Sequence, residues 1–196
     1  MPRSLLFVLF SVLFAGLALL VHEPDADEQL ADEALLIQQA VDADARHLEA
    51  DCKEQLASLV EFGGGAWMRL NAEELQRQGR RAGTTFIGLR GDSVLCWSGE
   101  VLWTPQELRA DTGAHLTIGD AVSLHVMLRS GEMEMHAVQP VWLSPPIENR
   151  YLQHGFARSL NTPIGLLAET GPGNGPVVRD AKGAVMFRLG WRDGAM

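Results

Sequence analysis

Two histidines, a thioether and a carboxylate stand at strand spacing within Ala121 to Leu143 (AVSLHVMLRSGEMEMHAVQPVWL). With Ser130-Gly131 as a two-residue hairpin loop, His125 opposes His136 and Met127 opposes Glu134. Opposed strand positions bring Cβ atoms within about 5 Å. The four side chains therefore have the donor types and the proximity to hold a soft or borderline metal such as copper. Half-exposed His pairs on strands usually stand idle, however, and no third His or Cys joins them by sequence proximity. In the same register Leu128 meets Met133, Val126 meets Met135 and Leu124 meets Ala137, while Arg129 meets Glu132. One face is then apolar and the other polar, and a slip of one residue would mix them.

No other stretch carries a recognised catalytic spacing. The loop GPGNGP lacks the Lys-Ser/Thr of a phosphate loop and reads as a flexible hairpin loop. There is no Gly-x-Ser-x-Gly, His-Glu-x-x-His or Cys-x-x-Cys, so no catalytic residue and no cofactor are assigned. The five tryptophans, Trp67, Trp97, Trp103, Trp142 and Trp191, are of a type more often found as core filler than as ligand cages. Trp97 and Trp103 flank a turn and, with Tyr151, are the candidate ligand contacts. Cys52 and Cys96 are too few for a disulfide framework. They could pair in an oxidising compartment or stay as two buried thiols.

A net charge of −9 argues against nucleic acid, whose phosphates call for a basic stripe. It argues equally against electrostatic adhesion to anionic lipid. The run Leu5 to Val21 (LLFVLFSVLFAGLALLV) holds seventeen uncharged residues, at the short end of what crosses a bilayer core. Arg3 and the amine precede it, and HEPDADEQLADE, with six acids and no base, follows. The positive-inside rule then keeps the N-terminus in the cytoplasm and exports the rest. A cleaved signal peptide is the competing reading, but the run is long and ends in Leu19-Leu20-Val21 with no small-x-small site.

These chemistries need elements to position them. From Glu28 to Phe62 apolar residues recur at spacings of 3 and 4, with Leu30, Val41 and Cys52 eleven apart. That predicts one long amphipathic helix with a nearly straight stripe, ended by Gly63-Gly64-Gly65. Such a helix packs on a sheet, or serves as a rod that transmits motion or dimerises. Residues 66–82 read as helical or irregular. Strands follow at Thr84–Leu89, Ser93–Trp97 and Val101–Trp103, with Gly91-Asp92 and Ser98-Gly99 as turns. TPQELRADTGAHLTIGD reads as a loop with at most one short helix, and Pro140 suits a strand edge or end. Glu148 to Leu160 shows helical spacing at Tyr151, Leu152, Phe156 and Leu160. Ile164–Ala168, Val177-Val178 and Ala184–Leu189 complete the strands. The fold class is α+β. It comprises an N-terminal transmembrane helix (1–22), a long membrane-proximal helix (23–65) and a mixed, mainly antiparallel sheet with a short helix (66–196).

Three short motifs in order carry a family resemblance. Ser93, Trp97 and Ser98 match S-x-x-x-W-S, and Glu148, Asn149, Tyr151, Leu152 and Phe156 match E-N-x-Y-L-x-x-x-F. Asp180, Gly183 and Phe187 match D-x-x-G-x-x-x-F. In this series the chain resembles the extracytoplasmic N-terminal sensor region of Bacteroidetes-type transmembrane sensor histidine kinases, over about residues 84–190. The plan of a membrane-proximal helix feeding a small sheet is also similar to Cache and PAS-like sensor domains. The resemblance implies the periplasmic part of an inner-membrane two-component sensor kinase. It would bind a small-molecule or protein signal, pair as a homodimer through the long helix, and signal across the membrane. It supplies no ligand-binding residues, and the chain shows no second span, phosphoacceptor box or ATP-binding domain of its own. The alternative is a stand-alone membrane-anchored binding or assembly protein with no signalling role.

Overall fold

The computed structural model describes residues 25–99, 104–110, 113–118, 121–145, 147, 154–157, 160–163 and 165–192. The apolar run Leu5–Val21 lies outside them. Among the described residues no helix is long and apolar enough to cross a membrane.

The first described element is helix α1 (Ala26–Phe62), 37 residues or about 55 Å long at 1.5 Å per residue. Asp27 and Glu28 place negative charge in its first turn, where the helix dipole favours it. The predicted stripe is the buried one: Leu30, Ala34, Ile37, Val41, Leu48, Cys52, Leu56 and Leu59. Gly63, at φ 72°, ends the helix, and its N–H bonds the Leu59 carbonyl at 2.9 Å. The glycine triplet is nevertheless a corner, because a second helix, α2 (Gly64–Ala82), starts at once. Gly64 is small for a packing reason. A Cβ there would lie 2.5 Å from the carbonyl oxygen of Leu95, which α2 covers.

Strands β1 (Thr85–Arg90) and β2 (Ser93–Trp97) form a hairpin, followed by the short helix α3 (Pro105–Ala110). Then come β3 (His115–Ile118), β4 (Ala121–Ser130) and β5 (Met133–Leu143). They form one antiparallel sheet in the order β2-β1-β5-β4-β3, with β6 (Gly155–Phe156) pairing to β5. A second sheet, β7 (Leu166–Glu169), β8 (Val177–Arg179) and β9 (Val185–Trp191), runs in the order β7-β9-β8. All pairs are antiparallel, and the fold is α+β. The stripe of α1 packs on β4 and β5 and reaches β1, β8 and β9. Leu124, Met135, Ala137, Val178 and Phe187 meet it there.

The hairpin register departs from the expected one. Ser130 pairs with Met133, so the loop is Gly131-Glu132. Gly131 has φ 61°, and glycine at the first central position is the signature of the II′-type turn. The pairs become Arg129 with Glu134, Leu128 with Met135, Met127 with His136 and Val126 with Ala137. Each residue's partner moves by two, so the division into apolar and polar faces survives. Pro140 lies in the central strand, where β1 has already ended at Thr85–Val138 and β6 begins only at Trp142–Phe156. Its missing N–H thus costs no ladder bond.

Two further expectations are corrected. GPGNGP joins β7 to β8, which flank β9, and so does not close a hairpin. It packs down on that strand: a Cβ on Gly175 would fall 1.9 Å from the Leu189 oxygen. The expected helix ending at Leu160 does not include Phe156, which is extended in β6. That placement sets its ring against Trp142 (centroids 4.9 Å apart) and Phe187 (5.7 Å).

The two neighbouring glycines give a matched test. Gly65→Ala meets nothing within 4 Å, so unfolding in urea should show it neutral, or stabilised by up to about 1 kcal/mol through helix propensity. Gly64→Ala should cost about 1–3 kcal/mol by overpacking against β2. Equal effects would mean that α2 does not press on that strand.

Candidate functional site

The sheet face turned away from α1 carries the polar side chains, which read across the strands in rows. Trp97, Ile87, His136 and Met127 form one row, and Val94, Leu89, Glu134 and Arg129 the next. Because His136 and Glu134 sit on the central strand, they are shut off from solvent at 0% and 4% exposure. Helix α3 closes this face. Its start is a capping box: Thr104 Oγ1 accepts the Glu107 N–H at 3.2 Å, and Glu107 accepts the Thr104 N–H at 2.7 Å. Pro105 stands at the first helical position, where its lack of an N–H is harmless. Leu108 then packs with Ile87, Leu89, Leu116 and Val138.

Arg109, the next residue, ties α3 to the sheet. Its Nε donates to Glu134 Oε2 at 2.9 Å and its Nη1 to Asp92 at 2.7 Å, while Nη2 reaches the Gly91 carbonyl. Arg129 donates to the other Glu134 oxygen. Burial alone would raise the Glu134 pKa, but the two guanidiniums more than offset it and hold the carboxyl below its usual range. His136 Nε2 stands 3.6 Å from Glu134 Oε2, too far for a hydrogen bond. His136 Nδ1 and His125 Nε2 are 3.0 Å apart, so one ring donates and the other accepts. Burial pushes the His136 pKa down, against the upward pull of Glu134.

The structure therefore gathers His125, His136 and Glu134, but not in the expected opposition. His125 pairs with Val138, and the two imidazoles meet diagonally. Met127 keeps to the strand edge, 45% exposed. The ring nitrogens face each other, and two guanidiniums hold the Glu134 oxygens. Among the described residues no three His, Cys, Asp or Glu gather as metal ligands. Trp97 is half exposed on β2, three strands from β4 or about 14 Å away. Trp103 and Tyr151 lie outside the described residues. Cys52 and Cys96 are separate buried thiols, pushed up by burial to about 12 and about 11, so neither offers a thiolate at neutral pH.

Two residues of the family-like motifs act as structural devices, while Glu148, Asn149, Tyr151 and Leu152 lie outside the described residues. Ser98 Oγ accepts the Phe86 N–H at 3.0 Å while the Ser98 N–H bonds the Phe86 carbonyl at 2.8 Å, extending the β1–β2 ladder. Asp180, fully buried, accepts the N–H groups of Lys182 and Ala184 at 2.9 Å each and contacts His115 Nδ1 at 2.8 Å. It thereby shapes the β8–β9 turn, with Gly183 at φ 83°, and joins the second sheet to β3. Although burial would raise its carboxyl, these partners hold it below the usual range.

A concave feature large enough for a ligand lies along the outer edge of β4. It is a groove of about 650 Å³, within the range of small-molecule sites. One wall is α1 (Asp42, Ala45, Arg46, Glu49), the other α3 (Leu108, Arg109), and Lys182 stands among its lining residues. The floor includes Val126, Leu128 and the buried His125. Sequence reasoning passed over the helix wall. Its signal was the row Asp42, Arg46 and Glu49, spaced 4 and 3 beside the apolar stripe.

The buried imidazole sets a pH dependence. The unfolded chain protonates this histidine below about pH 6.5, whereas the folded chain resists until a lower pH. Stability is therefore full above that value and falls as pH drops through the window. Glu134 and Asp180, held low, lose their contributions only at more acidic pH. Urea midpoints should fall between about pH 7 and 5, and His136→Asn should lose much of that slope. A wild-type midpoint that is flat across the window would contradict the buried neutral ring.

Comparison with protein-family models, with curated proteins and with solved structures finds no match to this chain.

Proposed function

We propose that this chain is the extracytoplasmic ligand-binding portion of a membrane-bound two-component sensor histidine kinase. Its domain is of Cache or PAS-like plan, held by Leu5–Val21 at the inner membrane and facing the periplasm. One observation carries this: the groove has α1 as a wall. The helix that would lead down to the membrane is thus an element that a ligand filling the groove touches. A ligand that prefers one placement of α1 shifts the population of that placement. The sheet order β2-β1-β5-β4-β3, with a long helix across one face, agrees with such a plan.

The same geometry says where α1 can pair. Leu48 is 1% exposed against the chain's own sheet, so a homodimer through the helix has to use the opposite face, where Leu35 and Leu36 are 59% and 58% exposed. That face would serve a docking partner in a non-signalling assembly protein as well.

Alkaline phosphatase fused after Trp191 should be active, and a cytoplasmic fluorescent reporter at the same point dark; the reverse pattern ends the reading. In membranes Leu36→Cys should form a disulfide-linked dimer while Leu48→Cys does not. No cross-link at Leu36 would remove the paired helix from the mechanism.

A further inference from the structure

We propose that the groove takes an extended peptide, which adds to the sheet as a strand along the open outer edge of β4. This rests on the ligand-binding reading and names the ligand's class. β4 is ten residues long, but β3 pairs only with Ala121–Leu124. The chain bends at Gly113-Ala114, and among the described residues no strand pairs with Val126–Ser130 on that side.

The hydrogen-bond phase of that edge is fixed. The His125 N–H points outward, bonding the Ala114 carbonyl at 3.0 Å. Alternation then turns the N–H and C=O of Met127 and Arg129 outward, while those of Val126 and Leu128 face β5. The open stretch is about 17 Å long at 3.4 Å per residue.

Three other edges among the described residues are covered or short. At β8 the Gln38 side chain mimics a strand, donating to the Arg179 carbonyl at 2.9 Å and accepting its N–H at 2.8 Å. The outermost strand β2 has α2 pressed on its Leu95 carbonyl. β3 is only four residues long. Exposed edges are templates for pairing and are normally blunted in such ways. An unblunted one lying in a groove is the setting for strand addition.

The two walls specify the peptide. Side chains turned toward α1 meet Val126, Leu128 and Ala45, which suits apolar residues, although Asp42, Arg46 and Glu49 also line that wall. Those turned the other way meet Arg129 and Arg109, whose side chains are 63% and 29% exposed, whereas the Glu134 they bind is 5% exposed. That mouth therefore presents cationic groups, and an acidic residue complements it. The occupant is an extended segment alternating apolar and acidic residues.

The probe is a short acetylated and amidated peptide alternating valine with glutamate, added to the full chain in detergent. In the free protein the amides of Met127 and Arg129 should exchange fast and those of Val126 and Leu128 slowly; the peptide should protect the first pair. N-methylating the alternate peptide amides that face β4 should weaken binding at least tenfold, and methylating the other set less than threefold. Arg129→Glu should weaken the glutamate peptide and spare one alternating valine with threonine. No protection, or equal loss from both methylation sets, overturns strand addition. Protection that appears without peptide as protein concentration rises assigns the edge to a second copy, and protection at every dilution assigns it to the chain itself; either overturns the proposal. A small molecule bound in the groove with no peptide protection would leave the sensor reading standing and remove this one. Peptide binding in a chain whose phosphatase fusion is inactive would do the opposite.

Discussion

From Leu30 to Leu59 the apolar stripe of α1 is buried along its length against β4, β5 and the second sheet. A buried aliphatic side chain is worth about 1.5–3 kcal/mol, and a whole domain is stable by about 5–15. Six such residues on one helix therefore match the entire net stability of the molecule. Helix and sheet cannot be separate modules, a rod below and a sensor above. The eleven-residue recurrence serves this arrangement, because a stripe that stays straight over 37 residues can follow two sheets at once.

That contact dictates what happens on the other face. Strand alternation sends every second side chain of β4 and β5 away from α1, and on β5 those are Glu134 and His136. β5 is the third of five strands, so neither side chain can reach water past its neighbours. A carboxylate in that position needs cations, and it has Arg109 and Arg129. Such a buried cluster is weak evidence of stability, since desolvation offsets much of the Coulomb attraction. Its clearer effect is placement. Helix α3 has six residues, too few to hold itself by packing, and Arg109 pins it to Glu134 and to the β1–β2 turn. The imidazole pair fills the space that remains beside the carboxylate.

Periodic features were legible from sequence, and those depending on one turn or on distant pairing were not. The long helix, its stripe and both faces of the hairpin follow from spacing alone. The hairpin loop differs by one residue from the expected one because Gly131 can serve at either central position of a tight turn, and only the pairing of Ser130 with Met133 decides. Faces survived the error because pairings moved by an even number. Cys96 was read as buried and is, whereas Phe156 was assigned helical spacing from four residues that include a strand. The Thr104–Glu107 capping box, with Pro at the first position, was visible in the sequence and alone announces α3. Groove and edge were invisible, since they depend on where β3 stops and on which helix faces β4. The motif residues Ser98 and Asp180 carry strand ends and turns, so a resemblance built on them bears on architecture more than on ligand.

An open strand edge beside a long helix has a consequence for transmission. In the proposed reading, a ligand bound only on the sheet's polar face would touch α3, which Arg109 links to the sheet and which would reach the membrane end of α1 only through the sheet. A strand added at β4 lies directly against Asp42–Glu49 of α1. Leu35 and Leu36 stand two to three turns nearer the N-terminus on the same rigid helix. The stripe beneath is close-packed, and packed interfaces switch between arrangements more readily than they deform. In the proposed reading, peptide binding is therefore felt as a choice between two seatings of α1 on the sheet, and the exposed leucines report which seating is occupied. The stripe fits such a change, because its small members Ala34 and Cys52 let the helix shift along the sheet without opening a large cavity.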